Sequence, residues 1–113
     1  MTIEQVESDG LPVLSLAGRL SSGTSPQLAL ALAAVIDGPS LGVVLDLTGI
    51  DYVSSAGFRV LEEGAAQLHE AGRPLIVCGL GTAVRPVFAI AGPIPHLAIE
   101  PSRERALARA RKA

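Results

Sequence analysis

Ser54 and Ser55 stand where one hydrophobic pattern gives way to another, and a hydroxyl at such a junction can carry chemistry. The apolar run over residues 41–47 reads as a buried strand. After a short loop, an apolar pattern of helical period begins behind the two serines. Both therefore fall at a helix N-terminus, beside unpaired backbone N–H groups and the positive end of the macrodipole. A serine there either caps the helix or carries a phosphate that the helix end already favours. The second option would make it a switch. Arg59, four residues after Ser55 on the same helical face, is placed either to pair with such a phosphate or to stand in solvent. Arg19, in a predicted loop after an earlier strand, is either part of the same surface or simply solvated.

No catalytic constellation accompanies these residues. Ser54 and Ser55 lack a Gly-x-Ser-x-Gly elbow and a His/Asp partner pattern. His69 and His96 are far apart and in no metal-ligand spacing, so both are expected at the surface or a strand edge, with no metal or cofactor. Gly79-Leu80-Gly81 is too short for a dinucleotide fingerprint. A binding protein is expected, not an enzyme. The lone cysteine, Cys78, excludes an internal disulfide and a multi-cysteine metal site, and reads as a small buried hydrophobe. A net charge of −2 and an aromatic content of 3% supply neither the charge nor the stacking platform of a nucleic-acid binder. The basic C-terminal run (Arg103, Arg105, Arg109, Arg111, Lys112) is interleaved with Ala106, Leu107 and Ala110. It reads as a docked helix rather than an RNA or membrane tail. No apolar stretch is long enough to span a bilayer and residues 1–4 lack a signal pattern, so the expected location is the cytoplasm.

The surrounding elements must position the serines. Residues 3–6 and 13–17, separated by Ser8-Asp9-Gly10, predict an antiparallel hairpin. Residues 18–23 predict a loop. Thr24 or Ser25 caps the next helix, with Pro26 in its first turn, a stripe of Leu28, Leu32, Val35 and Ile36, and a stop at Gly38-Pro39. A strand over 42–47 and a helix over 55–71 follow. That helix turns Phe58 or Leu61, Ala65 and Leu68 inward and ends at Gly72. Residues 74–78 predict a strand, and Gly81-Thr82 leads into a helix through Val84, Val87, Phe88 and Ala91. Residues 96–100 predict a last strand and 102–111 a helix capped by Ser102, with Glu100 and Glu104 near its positive end. The order ββαβαβαβα implies an α/β fold in one domain over 1–113: a mixed, mostly parallel sheet with helices mainly on one face. A chain of this length buries about two-thirds of its unfolded surface and needs no staples.

Taken together, these residues resemble the STAS family, and within it the small bacterial anti-sigma-factor antagonists, from about Ile3 to Leu107. Gly18-Arg19-Leu20, followed by Thr24 and Leu28, is similar to the family's Gly-x-Leu-Asp loop and first helix. Val44-Leu45-Asp46-Leu47 and then Ile50-Asp51-Tyr52-Val53-Ser54-Ser55-Ala56-Gly57 resemble its strand and phosphoacceptor loop. Val77-Cys78-Gly79-Leu80, Val84 to Phe88 and Gly92 resemble its fourth strand and third helix. The resemblance implies a partner-switching cycle. The unphosphorylated antagonist binds an anti-sigma factor that is also a serine kinase, so a sigma factor is released. Phosphorylation by that kinase breaks the complex, and a metal-dependent serine phosphatase restores it. The family's acceptor falls on Ser55, with Ser54 as a competitor. The implied partner surface comprises Arg19, Ser21, Ser22, Thr24, Ser54, Ser55, Ala56, Gly57, Phe58 and Arg59.

Two carboxylates of the family pattern are missing. Ser54 stands where many members have Asp directly before the acceptor, and Ser21 where many have Asp after Gly-x-Leu. A second expectation therefore stays open: a STAS-like regulatory subunit of a transporter or signalling assembly, without a phosphocycle. A third, a small-ligand binder using the loops around Gly18 and Ser54, rests on loops clustering at one sheet end.

Overall fold

The structure, a computed structural model, describes residues 1–112. Its elements are β1 (Thr2–Ser8), β2 (Leu11–Leu20), α1 (Ser25–Ile36), β3 (Val43–Val53), α2 (Ser55–Glu70), β4 (Leu75–Cys78), α3 (Arg85–Ala91), β5 (Leu97–Glu100) and α4 (Arg103–Lys112). They form one five-stranded sheet in the order β1-β2-β3-β4-β5. β1 runs antiparallel to β2, and every other neighbouring pair is parallel. The expected order and mostly parallel sheet are therefore present. The hairpin turn is Asp9-Gly10, both at positive φ, which gives the primed turn whose twist matches that of the strands.

The two faces of the sheet are covered unequally. One face packs Leu14, Leu45, Leu47 and Val77 against Leu28, Leu32 and Val35 of α1, Leu61, Ala65 and Leu68 of α2, and Val84 and Phe88 beside and in α3. The other face packs Leu11, Val13, Val44, Ile76 and Cys78 against Ala106 and Ala110 of α4. Each fully buried leucine contributes about 1.5–3 kcal/mol, so the first face supplies most of the stabilisation. The basic C-terminal run is thus a docked helix. Arg109 pairs with Glu100 at 2.7 Å and Arg111 with Asp9 at 3.1 Å. No described helix is long and apolar enough to cross a membrane.

The structure departs from the sequence-based expectations at three places. Residues 18–20, expected in a loop, continue β2, and β3 runs on to Val53 rather than stopping at residue 47. Thr48-Gly49 and Asp51 look like turn residues, but they are accommodated by two bulges. The register passes from Ser15↔Asp46 to Ala17↔Gly49, and from Gly18↔Ile50 to Arg19↔Tyr52, so β3 carries one extra residue each time. Gly49 permits the close approach, since a Cβ there would lie 2.8 Å from the Ala17 Cβ. Of the apolar residues that marked the third helix, Val84 and Phe88, one turn apart, form the inward line and leave Val87 exposed on its flank. Thr24 occupies the N-cap position of α1 without a side-chain cap: its hydroxyl is taken up by the Ser21 N–H and the Arg19 carbonyl, Pro26 has no N–H to offer, and the Gln27 N–H bonds the Thr24 carbonyl instead.

Behind the sheet, Asp46 organises a polar cluster. Its Oδ1 accepts from the Thr48 N–H at 3.0 Å and hydroxyl at 2.6 Å, while Oδ2 accepts from the Arg103 guanidinium at 2.9 Å. Arg103 also reaches Ser15 Oγ at 2.6 Å. Burial by itself would raise the Asp46 pKa, but the bonds from Thr48 and Arg103 outweigh it and hold the carboxyl below its ordinary 3.8. Neighbouring Cys78 is pushed up to about 11 by burial and, secondarily, by the Asp46 charge, which keeps it a protonated, inert thiol. Because the folded pKa of Asp46 is depressed, its stabilisation is present above the unfolded value and lost as pH falls through the folded one. Asp46→Asn is expected to be less stable at neutral pH and to show a shallower loss of stability below about pH 4. Acid titration followed by circular dichroism checks this, and an unchanged acid limb would contradict it.

Candidate functional site

β2 and β3 end side by side, and that juxtaposition builds the site. The Ser54 N–H donates to the Leu20 carbonyl at 2.9 Å, joining the two strand ends. Ser54 then adopts extended backbone angles (φ −93°, ψ 173°) and caps α2, its Oγ accepting from the Gly57 N–H at 3.3 Å. Gly57 is buried, and a Cβ there would lie 2.8 Å from Leu20 Cγ. The first turn of α2 is therefore pressed onto the end of β2, and the serine behind the cap is fixed in direction.

The two serines have different environments. Ser54 is half-buried and its hydroxyl is engaged as the cap. Ser55 is exposed at the first helical position, and its hydroxyl has no hydrogen-bond partner among the described residues. The first turns of α1 and α2 contain no acidic residue, so the positive ends of both helix dipoles are uncompensated. A dianion attached to Ser55 would meet favourable local electrostatics, with no carboxylate of α2's first turn to repel it.

The other expected site residues cluster here, with unequal accessibility. Ser22 and Arg59 are exposed, Ser21, Thr24 and Ala56 are half-buried, and Gly57 offers packing rather than surface. Thr24 fastens the turn after β2: its Oγ1 accepts from the Ser21 N–H at 2.8 Å and donates to the Arg19 carbonyl at 2.6 Å. Phe58 is half-buried against Phe88, ring centroids 4.8 Å apart. Arg59 lies one turn beyond Ser55 and has no ion-pair partner among the described residues.

Two contacts here and nearby were not apparent from the sequence. Arg19 is not merely solvated; its guanidinium lies 4.2 Å from the centroid of the Tyr52 ring. An exposed aromatic in a chain with one tyrosine and two phenylalanines is the signal that could have drawn attention to Tyr52. At the opposite end of α2, His69 and His96 stack at 3.7 Å with planes 12° apart, although both remain at the surface as expected. Near-parallel rings direct their in-plane lone pairs side by side, so this arrangement does not converge on one metal ion.

Comparison with known proteins agrees with this architecture. The family model described as Mlab, STAS domain, matches residues 3–93. BtrV of Bordetella bronchiseptica, named for an inferred role as an anti-sigma factor antagonist, is 39% identical over 108 residues, covering 96% of this chain and 91% of that protein. The crystal structure of an anti-sigma factor antagonist from Mycobacterium paratuberculosis is similar with a TM-score of 0.83 and 27% identity, covering 97% of this chain and 93% of that one. The phosphorylated form of the Bacillus cell fate determinant SpoIIAA shares the fold at a TM-score of 0.71 and 17% identity, over 96% of this chain and 98% of that one. With its sheet order, its helix arrangement and a match over most of its length, this chain belongs to the STAS domain family.

Proposed function

We propose that this protein is an anti-sigma factor antagonist that docks on an anti-sigma factor through the surface around the start of α2, and that phosphorylation of Ser55 by that partner, acting as a serine kinase, releases it. The observation that carries this reading is the division of labour between adjacent serines: Ser54 is consumed as the helix cap, while Ser55 is exposed and unbonded. The names of BtrV and of the mycobacterial structure support the same role. A phosphate adds about −1.5 to −2 charges at neutral pH. At this helix end it has no reason to unfold α2; it acts by placing charge and bulk on the docking surface, where it desolvates or repels partner groups. A metal-dependent serine phosphatase resets the cycle.

The test is a titration of unphosphorylated protein with the purified anti-sigma factor kinases of the source organism. A saturable complex with one of them is expected, and its dissociation should follow addition of ATP. The absence of two carboxylates at Ser21 and Ser54 favours a second reading, a STAS subunit without a phosphocycle. Stable assembly with a non-kinase partner, and no modification by ATP, would be the result that selects it.

A further inference from the structure

We infer that the Arg19–Tyr52 stack is a second recognition element of the docking surface, one that receives a carboxylate of the anti-sigma factor; this rests on the function proposed above. The position of the pair follows from strand alternation. Leu20 and Val53 are buried in the core beneath α1 and α2, so their neighbours Arg19 and Tyr52 project from the opposite face of the sheet. The bulge at Asp51 brings Tyr52 into register with Arg19 there, two residues before Ser54. The docking surface therefore continues around the sheet end, from the tip of α2 to the opposite side.

Two observations point to this pair. Phe58 and Phe88 pack on each other, whereas Tyr52 is 41% exposed and outside both core clusters. Arg103, Arg109 and Arg111 each pair with a carboxylate; Arg19, like Arg59 beside Ser55, has no acidic partner among the described residues, and it differs from Arg59 in lying over an aromatic ring. Exposed and unpaired with any carboxylate, the Arg19 guanidinium keeps its fork of N–H donors available, and such a fork suits a bidentate carboxylate. Tyr and Arg are also enriched among the side chains that dominate binding at interfaces, and Tyr offers its contact area at low entropic cost. The chemistry selects an acidic side chain on the partner, set beside an apolar contact for the tyrosine ring.

The experiment is a binding titration against the anti-sigma factor that the wild-type protein binds, using Tyr52→Ala, Tyr52→Phe, Arg19→Ala and Arg19→Glu, with Ser55→Glu as reference. Tyr52→Ala and Arg19→Ala are each expected to weaken binding about tenfold, and the double variant by little more, because the two act as a unit. Tyr52→Phe should retain most of the affinity. Arg19→Glu should lose more than Arg19→Ala, and the gap between them should shrink as salt rises. A fold disturbance would not produce that salt dependence. If the Arg19 and Tyr52 variants bind within twofold of wild type while Ser55→Glu fails, the inference is overturned and the proposed function stands. If the wild-type protein binds no anti-sigma factor, both fall together.

Discussion

Ser55→Glu is expected to bind the anti-sigma factor at least 100-fold more weakly than wild type, whereas Ser55→Ala should bind as tightly as wild type and resist release by ATP. A 100-fold change corresponds to about 2.7 kcal/mol of differential binding, within reach of one uncompensated charge at a desolvated contact. The structure explains why the substitution should act on binding rather than stability. Ser55 is exposed, its hydroxyl has no partner to lose, and no acidic residue occupies the first turn of α2. A carboxylate at a helix start is mildly stabilising, so Ser55→Glu should unfold no earlier than wild type. Ser54→Ala behaves differently: it removes the cap on the Gly57 N–H and should lower stability by about 1 kcal/mol. Isothermal titration beside thermal unfolding separates the two effects. Equal affinities for wild type, Ser55→Ala and Ser55→Glu would remove Ser55 from the mechanism.

The second large effect is expected in the polar cluster behind the sheet. Gly79 follows β4 with φ +73°, and a Cβ there would stand 2.3 Å from Thr48 Oγ1 and 2.9 Å from Asp46 Oδ1. Gly79→Ala therefore carries a left-handed backbone penalty and breaks into the Asp46–Thr48–Arg103 cluster. Together these should cost about 2–5 kcal/mol. Gly72 offers the control: its φ is +72° but nothing lies within 4 Å of an added Cβ. Gly72→Ala should show only the backbone penalty, about 1–2 kcal/mol. Urea unfolding of both variants measures the difference. Equal losses would mean that the Asp46 cluster yields freely to an intruding methyl group.

Much of the fold was legible because its signals are local. The Asp-Gly turn, the leucine stripe of α1, the Gly72 stop after α2 and the alanine face of α4 each report on their own neighbourhood, and each is found where expected. The long ends of β2 and β3 were not legible. Thr48, Gly49 and Asp51 are turn-forming residues, and only pairing with a distant strand makes them bulges. The same reason hid the Arg19–Tyr52 contact and the His69–His96 stack, each between residues remote in sequence. For the candidate site, the chain identified both serines at a helix start but could not divide their roles. That division depends on which hydroxyl turns back toward the Gly57 N–H. Gly57 itself, expected at the surface, packs under it because α2 sits so close to Leu20.

The most direct test of the central claim is intact mass with peptide mapping, after incubation with the partner kinase and ATP and again after phosphatase treatment. The account predicts one removable phosphoryl group, on Ser55, with Ser54 unmodified. Phosphate on Ser54 would contradict the roles assigned to the two hydroxyls, and no phosphate on either serine would contradict the switch itself.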